Sequence, residues 1–266
     1  VTDLDDLVDE WQLRPDGDAV YGRTAVALPV RIDDAAALLK LDTAADTEHA
    51  HLVLRRWGGD GAVRLLRADP HRHAVLLERQ GPQSLAALPD VDACEIVAGL
   101  YRRLHVPPMP QLRSLSSYLD EWADGLHRLP RSAPIPHRLV EQAITLCRDL
   151  STGATDRVLH GNLRYDNVLA ADREPWLAIS PAPVNGDPAY ELAPMVWSRW
   201  DELGRNARFG VQRRFYALID AAGIDEDRAR SWMIFRVVRE AVRTLERESN
   251  PSALTALVTL AKSVQD

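Results

Sequence analysis

The sequence predicts an α+β protein: a small mixed lobe over residues 1–80 followed by a larger, mainly helical lobe over 81–266. Three observations predict it. Short apolar runs broken by turn signals occupy the first eighty residues. Helical periodicity dominates after Gly81. Two short strand-like runs, 168–171 and 176–179, interrupt the helices once.

In order, Thr2-Asp3-Leu4-Asp5 has the form of a capping box and predicts a helix to about Trp11. Residues 14–17 read as a turn. Residues 24–31 and 35–41 read as strands joined by the Asp33-Asp34 hairpin signal. From Asp46 to Trp57, Ala50, Val53, Leu54 and Trp57 share one helical face, and Gly58-Gly59-Asp60-Gly61 ends it. Strands follow at 62–67 and 74–78. In the second lobe an apolar stripe runs from Ala93 to Leu104, and Pro107, Pro108 and Pro110 make a rigid link. Helices are expected at 114–129, 136–152, 188–200, 207–222, 225–247 and 251–264.

The chain has 266 residues, 27% of them charged, with a net charge of −7. That acidity argues against a nucleic-acid partner, because phosphates select basic faces. The N-terminus is acidic rather than basic-then-apolar, and no apolar run is long enough for a membrane span. A cytoplasmic protein without a membrane partner is expected. Cys94 and Cys147 sit in apolar helical stretches and read as buried thiols.

The most informative stretch is Val158-Leu159-His160-Gly161-Asn162-Leu163-Arg164-Tyr165-Asp166-Asn167-Val168-Leu169. It continues through Glu174-Pro175-Trp176-Leu177-Ala178-Ile179-Ser180-Pro181 and Gly186-Asp187-Pro188-Ala189-Tyr190-Glu191-Leu192-Ala193-Pro194. In these segments the chain resembles the aminoglycoside phosphotransferase family, in its streptomycin and hydroxyurea phosphotransferase branch. The resemblance implies a protein-kinase-like two-lobed fold, with an antiparallel sheet in the first lobe. It further implies ATP between the lobes, magnesium, and transfer of a phosphoryl group to a hydroxyl of a small acceptor. The first lobe would then take the nucleotide side and the second the catalytic loop and acceptor region.

Carried over by position, the resemblance implies that Asn162 stands where the family has its catalytic Asp, with His160 as part of the loop frame. Ser180 stands where the family has a magnesium-binding Asp, and Asn167 keeps the other metal position. Ala182 replaces a common Lys, and Glu191 replaces the Asp of the third motif. Lys40 is the expected phosphate-facing lysine, and Glu78 and Arg79 belong to the hinge-like segment beside the nucleotide. The carboxylate partner of Lys40 is expected on the following helix, where the aligned position is Ala50.

An amide has no useful basicity, and losing a positioned general base costs roughly 100- to 10,000-fold. Magnesium favours carboxylate oxygens, which Asn167 and Ser180 lack. The changes fall on charged positions while the apolar frame is kept. The expectation is therefore a catalytically impaired kinase-like protein, with ATP and magnesium binding weak or lost and possible residual binding of a nucleotide or an aminoglycoside-like small molecule. Two alternatives stand beside it. One is an active phosphotransferase of a hydroxylated antibiotic, rescued by Asp166 or Asp187. The other is a scaffold for a protein partner, with Tyr165 or Arg164 filling the phosphate space. Asp120, Glu121, Asp124 and Glu202 are candidates to meet a cationic acceptor, against a plainer role as solvated helix charges.

Overall fold

The computed structural model describes residues 2–22, 24–153, 155–247 and 251–265. The chain divides into two compact units. The first comprises Val1–Ala87 with Asp166–Pro183, and the second Leu88–Tyr165 with Val184–Asp266. A single cut near residue 80 therefore differs from the observed division in two ways: the first boundary lies at Ala87, and an inserted hairpin belongs to the first unit.

In the first unit, α1 (Thr2–Glu10) is followed by β1 (Arg14–Pro15), β2 (Val20–Tyr21), β3 (Ala25–Ile32) and β4 (Ala35–Asp42). Then come α2 (Ala50–Trp57), β5 (Leu65–Asp69) and β6 (Ala74–Glu78). The antiparallel sheet has the order β1-β3-β4-β6-β5, with β2 also on β3. Ile32 pairs with Ala35 across a two-residue turn in which Asp33 and Asp34 both have positive φ, the combination a tight hairpin requires. Leu4 and Leu7 of α1 and Trp11 just beyond it lie at helical spacing and join Val30, Ala37, Leu39 and Leu76 in one buried core.

The inserted hairpin, β8 (Val168–Ala170) with β9 (Trp176–Ala178), belongs to this unit for a visible reason. Gly81 N donates to Ala170 O, Ala170 N to Gln83 O, Val63 N to Ala178 O and Ala178 N to Gly61 O. Residues 61–63 are thereby drawn onto the hairpin. The strand expected from residue 62 accordingly begins at Leu65, with an irregularity at Leu65/Arg67. The helix expected from Asp46 is divided as well. A 3-10 turn covers Ala45–Thr47, where the Thr47 hydroxyl donates to Ala44 O, and α2 starts at Ala50.

The second unit holds α3 (Asp90–Leu104), α4 (Leu115–His127), α5 (His137–Leu150), α6 (Leu192–Trp197), α7 (Ala207–Ala222), α8 (Glu226–Arg247) and α9 (Pro251–Gln265). It also holds the short antiparallel pair β7 (Arg157–Leu159) and β10 (Val184–Gly186). Helix α3 packs on α7, and α8 packs on α5 and α9. Gly186 lets β10 pass under α4: a Cβ there would lie 2.3 Å from the Leu115 side chain. Asn185 ties the proline-rich link to β10, donating to Met109 O and Leu112 O and accepting from Met109 N. The helix expected over 188–200 is a 3-10 turn plus α6. It stops because Ser198 is extended and Arg199 is left-handed. Cys94 and Cys147 are free and buried, as expected. Among the described residues no helix is long and apolar enough to cross a membrane.

Candidate active site

In the second unit, Gly161 has a φ of +75°, a conformation that glycine tolerates best, and this turns the chain after β7. Glu191 braces the turn. It is fully enclosed, and its carboxylate accepts from His160 N at 3.2 Å and Gly161 N at 2.5 Å. Burial pushes this carboxyl up. The His105 imidazole, 3.8 Å away, together with His160 and the Gly161 N–H, outweighs burial and holds it below the usual range. His160 is buried, and its Nδ1 accepts the Asn162 N–H at 3.3 Å. The loop that presents Asn162 is thus fixed by a carboxylate and an imidazole behind it.

Tyr165 is turned into the second unit. It is fully buried, donates its hydroxyl to Asp90 at 2.9 Å, and lies beneath the guanidiniums of Arg199 and Arg214. These contacts hold the Tyr165 ring within the second unit; Arg164 is exposed. Asp187 is also committed. It caps the following turn through Ala189 N and takes Arg228 Nε at 2.5 Å and Trp232 Nε1 at 2.6 Å. With both oxygens engaged, Asp187 is not available as a substitute catalytic carboxylate. Asp166 is exposed. Of the four acids considered for a cationic acceptor, Glu121 is paired with Arg113 and Glu202 with Arg199.

In the first unit the structure brings Lys40 and Ser180 together. Lys40 Nζ donates to Ser180 Oγ at 3.3 Å. Ser180 has a φ of +55°, an uncommon conformation for a residue other than glycine. Asn167 is buried on the same hairpin, its carbonyl accepting from Ile179 N. The carboxylate partner of Lys40 is Asp42, at 2.8 Å, with both side chains largely buried. Asp42 is held in turn by Thr24 Oγ1 and Ala44 N.

That pairing departs from the expectation of a helix-borne partner. Residues i and i+2 of a strand share a face, so Lys40 and Asp42 meet within β4. The alternation was legible in the sequence, but a carboxylate two residues along a strand had no motif to mark it. Both residues line a cavity of about 40 Å³ with Glu48, Ala50, Leu77 and Ser180. Glu78 and Arg79 are engaged elsewhere in this unit. Glu78 chelates Arg173 and accepts from Arg64 N, and Arg79 pairs with Asp16.

A nucleotide's phosphates fit the ammonium of Lys40 in its cavity. A divalent cation fits less well: Asn167 and Ser180 offer neutral oxygens, and the Asp42 carboxylate already serves three donors.

Among solved structures, the chain aligns over 98% of its length with 97% of an aminoglycoside phosphotransferase in ternary complex with ADP and hygromycin B, at a TM-score of 0.67 and 15% identity. The fold is that of the protein-kinase-like phosphotransferases. At the level of sequence, the model of the aminoglycoside/hydroxyurea antibiotic resistance kinases matches residues 10–248, and the chain belongs to that family. It is 37% identical to a streptomycin 6-kinase of Streptomyces glaucescens, over 98% of this chain and 88% of that protein. It is 37% identical to a hydroxyurea phosphotransferase of Kitasatospora aureofaciens, over 91% of this chain and 72% of that one.

Proposed function

We propose that this family member binds a nucleotide and a small ligand but is impaired in phosphoryl transfer. One observation carries the reading: an amide, Asn162, stands at the end of a loop whose supports are all in place. Glu191, His160 and Gly161 hold the backbone, so the side chain is presented but has no basicity to receive a hydroxyl proton. Ser180 adds to this, because it replaces a carboxylate beside Lys40 with a neutral hydroxyl. Lys40 supports residual nucleotide binding through the phosphates. ATP is the expected nucleotide, with Glu78 and Arg79 supplying backbone rather than side-chain contacts.

The test is phosphate release and transfer from labelled ATP over a panel containing streptomycin and hydroxyurea. The double variant Asn162→Asp, Ser180→Asp is expected to exceed the natural chain by about 100-fold or more. Calorimetry with ATP should show little gain in affinity on adding magnesium. Turnover by the natural chain at the level of the double variant, or a strong magnesium gain, ends the impaired reading.

A second reading, an active phosphotransferase, is favoured by Asp42. Its carboxylate lies in the same cavity as Lys40 and Ser180 and supplies the negative charge those positions lack. Under that reading Asp42→Asn abolishes turnover. Asp166→Ala tests the exposed loop acid in the same assay.

A further inference from the structure

Helix α8 carries Arg236, Arg239 and Arg243 at i, i+3 and i+7, a spacing that places them on one face. Arg236 is 8% exposed. Its guanidinium lies 3.9 Å from the centre of the Tyr190 ring and 5.1 Å from that of Trp197. One donor, Nη1, reaches Tyr190 O at 2.8 Å, and its buried Nε has no hydrogen-bond partner. Arg239 is half-buried, 3.9 Å over Trp122, with Nη1 3.5 Å from the Tyr190 hydroxyl. Among the described residues neither arginine forms an ion pair with a carboxylate. Glu240 lies 3.8 Å from Arg243. Asp187, which bonds Trp232 in the same aromatic cluster, is neutralised by Arg228.

A buried guanidinium without a counter-ion is costly in any fold. Stacking on tyrosine and tryptophan offsets part of that cost. The helix dipole does not explain it, because its influence is confined to the last turn and Arg236 and Arg239 lie well before Arg247. Burial, with the charges of Arg236 and Arg243, lowers the pKa of Arg239 from its usual value against the opposing pull of Tyr190 and Glu240. The cluster also adjoins the candidate site. Arg236 bonds the carbonyl of Tyr190, and the next residue, Glu191, braces the loop of Asn162.

We infer that the second unit binds a small molecule carrying an anionic oxygen group, a carboxylate or a phosphate, on a flat apolar frame, with Arg239 and Arg236 as the anion contacts and Trp197 and Trp122 as the apolar wall. This rests on the reading that the second unit keeps the small-ligand side of the fold. It differs in charge from what a cationic amino-sugar acceptor needs.

The test is titration of the full chain, followed by tryptophan fluorescence and calorimetry, with phenyl phosphate, benzoate and the cation benzylamine. At least one anion should saturate, more weakly as salt rises, and benzylamine should not compete. Arg239→Gln should weaken the anion by at least about 10-fold, with partial rescue by Arg239→Lys. Binding of phenyl phosphate alone, or of benzoate alone, assigns the anion class.

The inference is overturned if neither anion saturates the natural chain, if benzylamine competes, or if Arg239→Gln binds the anion unchanged. Lys40→Met, measured in parallel with ATP, separates the two proposals. Lost ATP binding with anion binding intact supports two independent sites. ATP binding present without anion binding removes this inference and leaves the nucleotide reading standing.

Discussion

The Asn162 loop of the second unit and the Lys40 cavity of the first are built in different ways. Around Asn162 the loop is braced from behind: Glu191 receives two backbone N–H groups and His160 receives a third. Lys40 instead takes its partners side by side, a carboxylate from Asp42 on its own strand and a hydroxyl from Ser180. Breaking a fully buried brace leaves unpaired polar groups and is costly, whereas a partly exposed ion pair contributes less. Stability and chemistry can therefore separate within one motif.

The sharpest way to break this contrast is to remove the brace. Glu191→Ala leaves two buried backbone donors without an acceptor and His105 without its carboxylate. The expected loss is on the order of 3–5 kcal/mol, read from the urea midpoint. If Glu191→Ala costs no more than Asp42→Ala, the loop is not the more tightly built of the two regions.

Acid should reveal the same difference. Glu191 is held below its ordinary value of 4.5 despite burial. Asp90 is held below 3.8, with burial again opposed by Arg214, Tyr165 and Arg213. Both carboxyls are thus easier to ionise folded than unfolded. Their contribution to stability is fully present above the unfolded values and is lost as pH falls through the depressed folded ones. Urea midpoints should hold steady from pH 7 to about 5 and drop below about 4.5. Glu191→Gln should flatten that drop. An unchanged slope in the variant means other carboxylates carry the acid sensitivity.

Asp42 tests the Lys40 side. Asp42→Asn removes the negative partner of Lys40 while keeping the amide shape. The freed ammonium should bind tripolyphosphate about three- to tenfold more tightly, equivalent to roughly 1 kcal/mol, by calorimetry. Weaker binding in the variant would mean that Asp42 orients the lysine for phosphate rather than competing for it.

Much of this was legible in the sequence, at uneven depth. The long helices and the Asp33-Asp34 hairpin follow from periodicity and turn chemistry acting over many residues. The short strands β8 and β9 were legible as a pair interrupting the helices, whereas the equally short β7 and β10, which lie far apart in the chain, were not. The stop of α6 at Trp197 was equally hidden, since it depends on Ser198 turning extended and Arg199 entering the left-handed region. The ordered motif marked Asn162, Asn167 and Ser180 as candidates by position. It could not reveal Asp42, whose role comes from a strand face, nor the unpaired arginines of α8, whose oddity lies in the absence of a neighbour. Tyr165 and Asp187 looked free in the sequence and proved to be engaged, because their partners Asp90, Arg228 and Trp232 are remote along the chain.

The smallest effect offers a clean local readout. Burial, the largest influence on each thiol, pushes Cys94 up to about 12 and Cys147 up to about 11, and both residues lie in the second unit. At pH 8 neither holds appreciable thiolate, so a disulfide reagent should react only when the second unit opens. Asp42→Asn, a change in the first unit, should leave that rate as it is in the natural chain. Glu191→Ala should raise it by at least about tenfold, the kinetic counterpart of a loss exceeding roughly 1.4 kcal/mol in the opening equilibrium. Equal acceleration by both variants would mean that the two units open together, and the separation between a rigid loop frame and an exchangeable charge pair would then be one of chemistry alone.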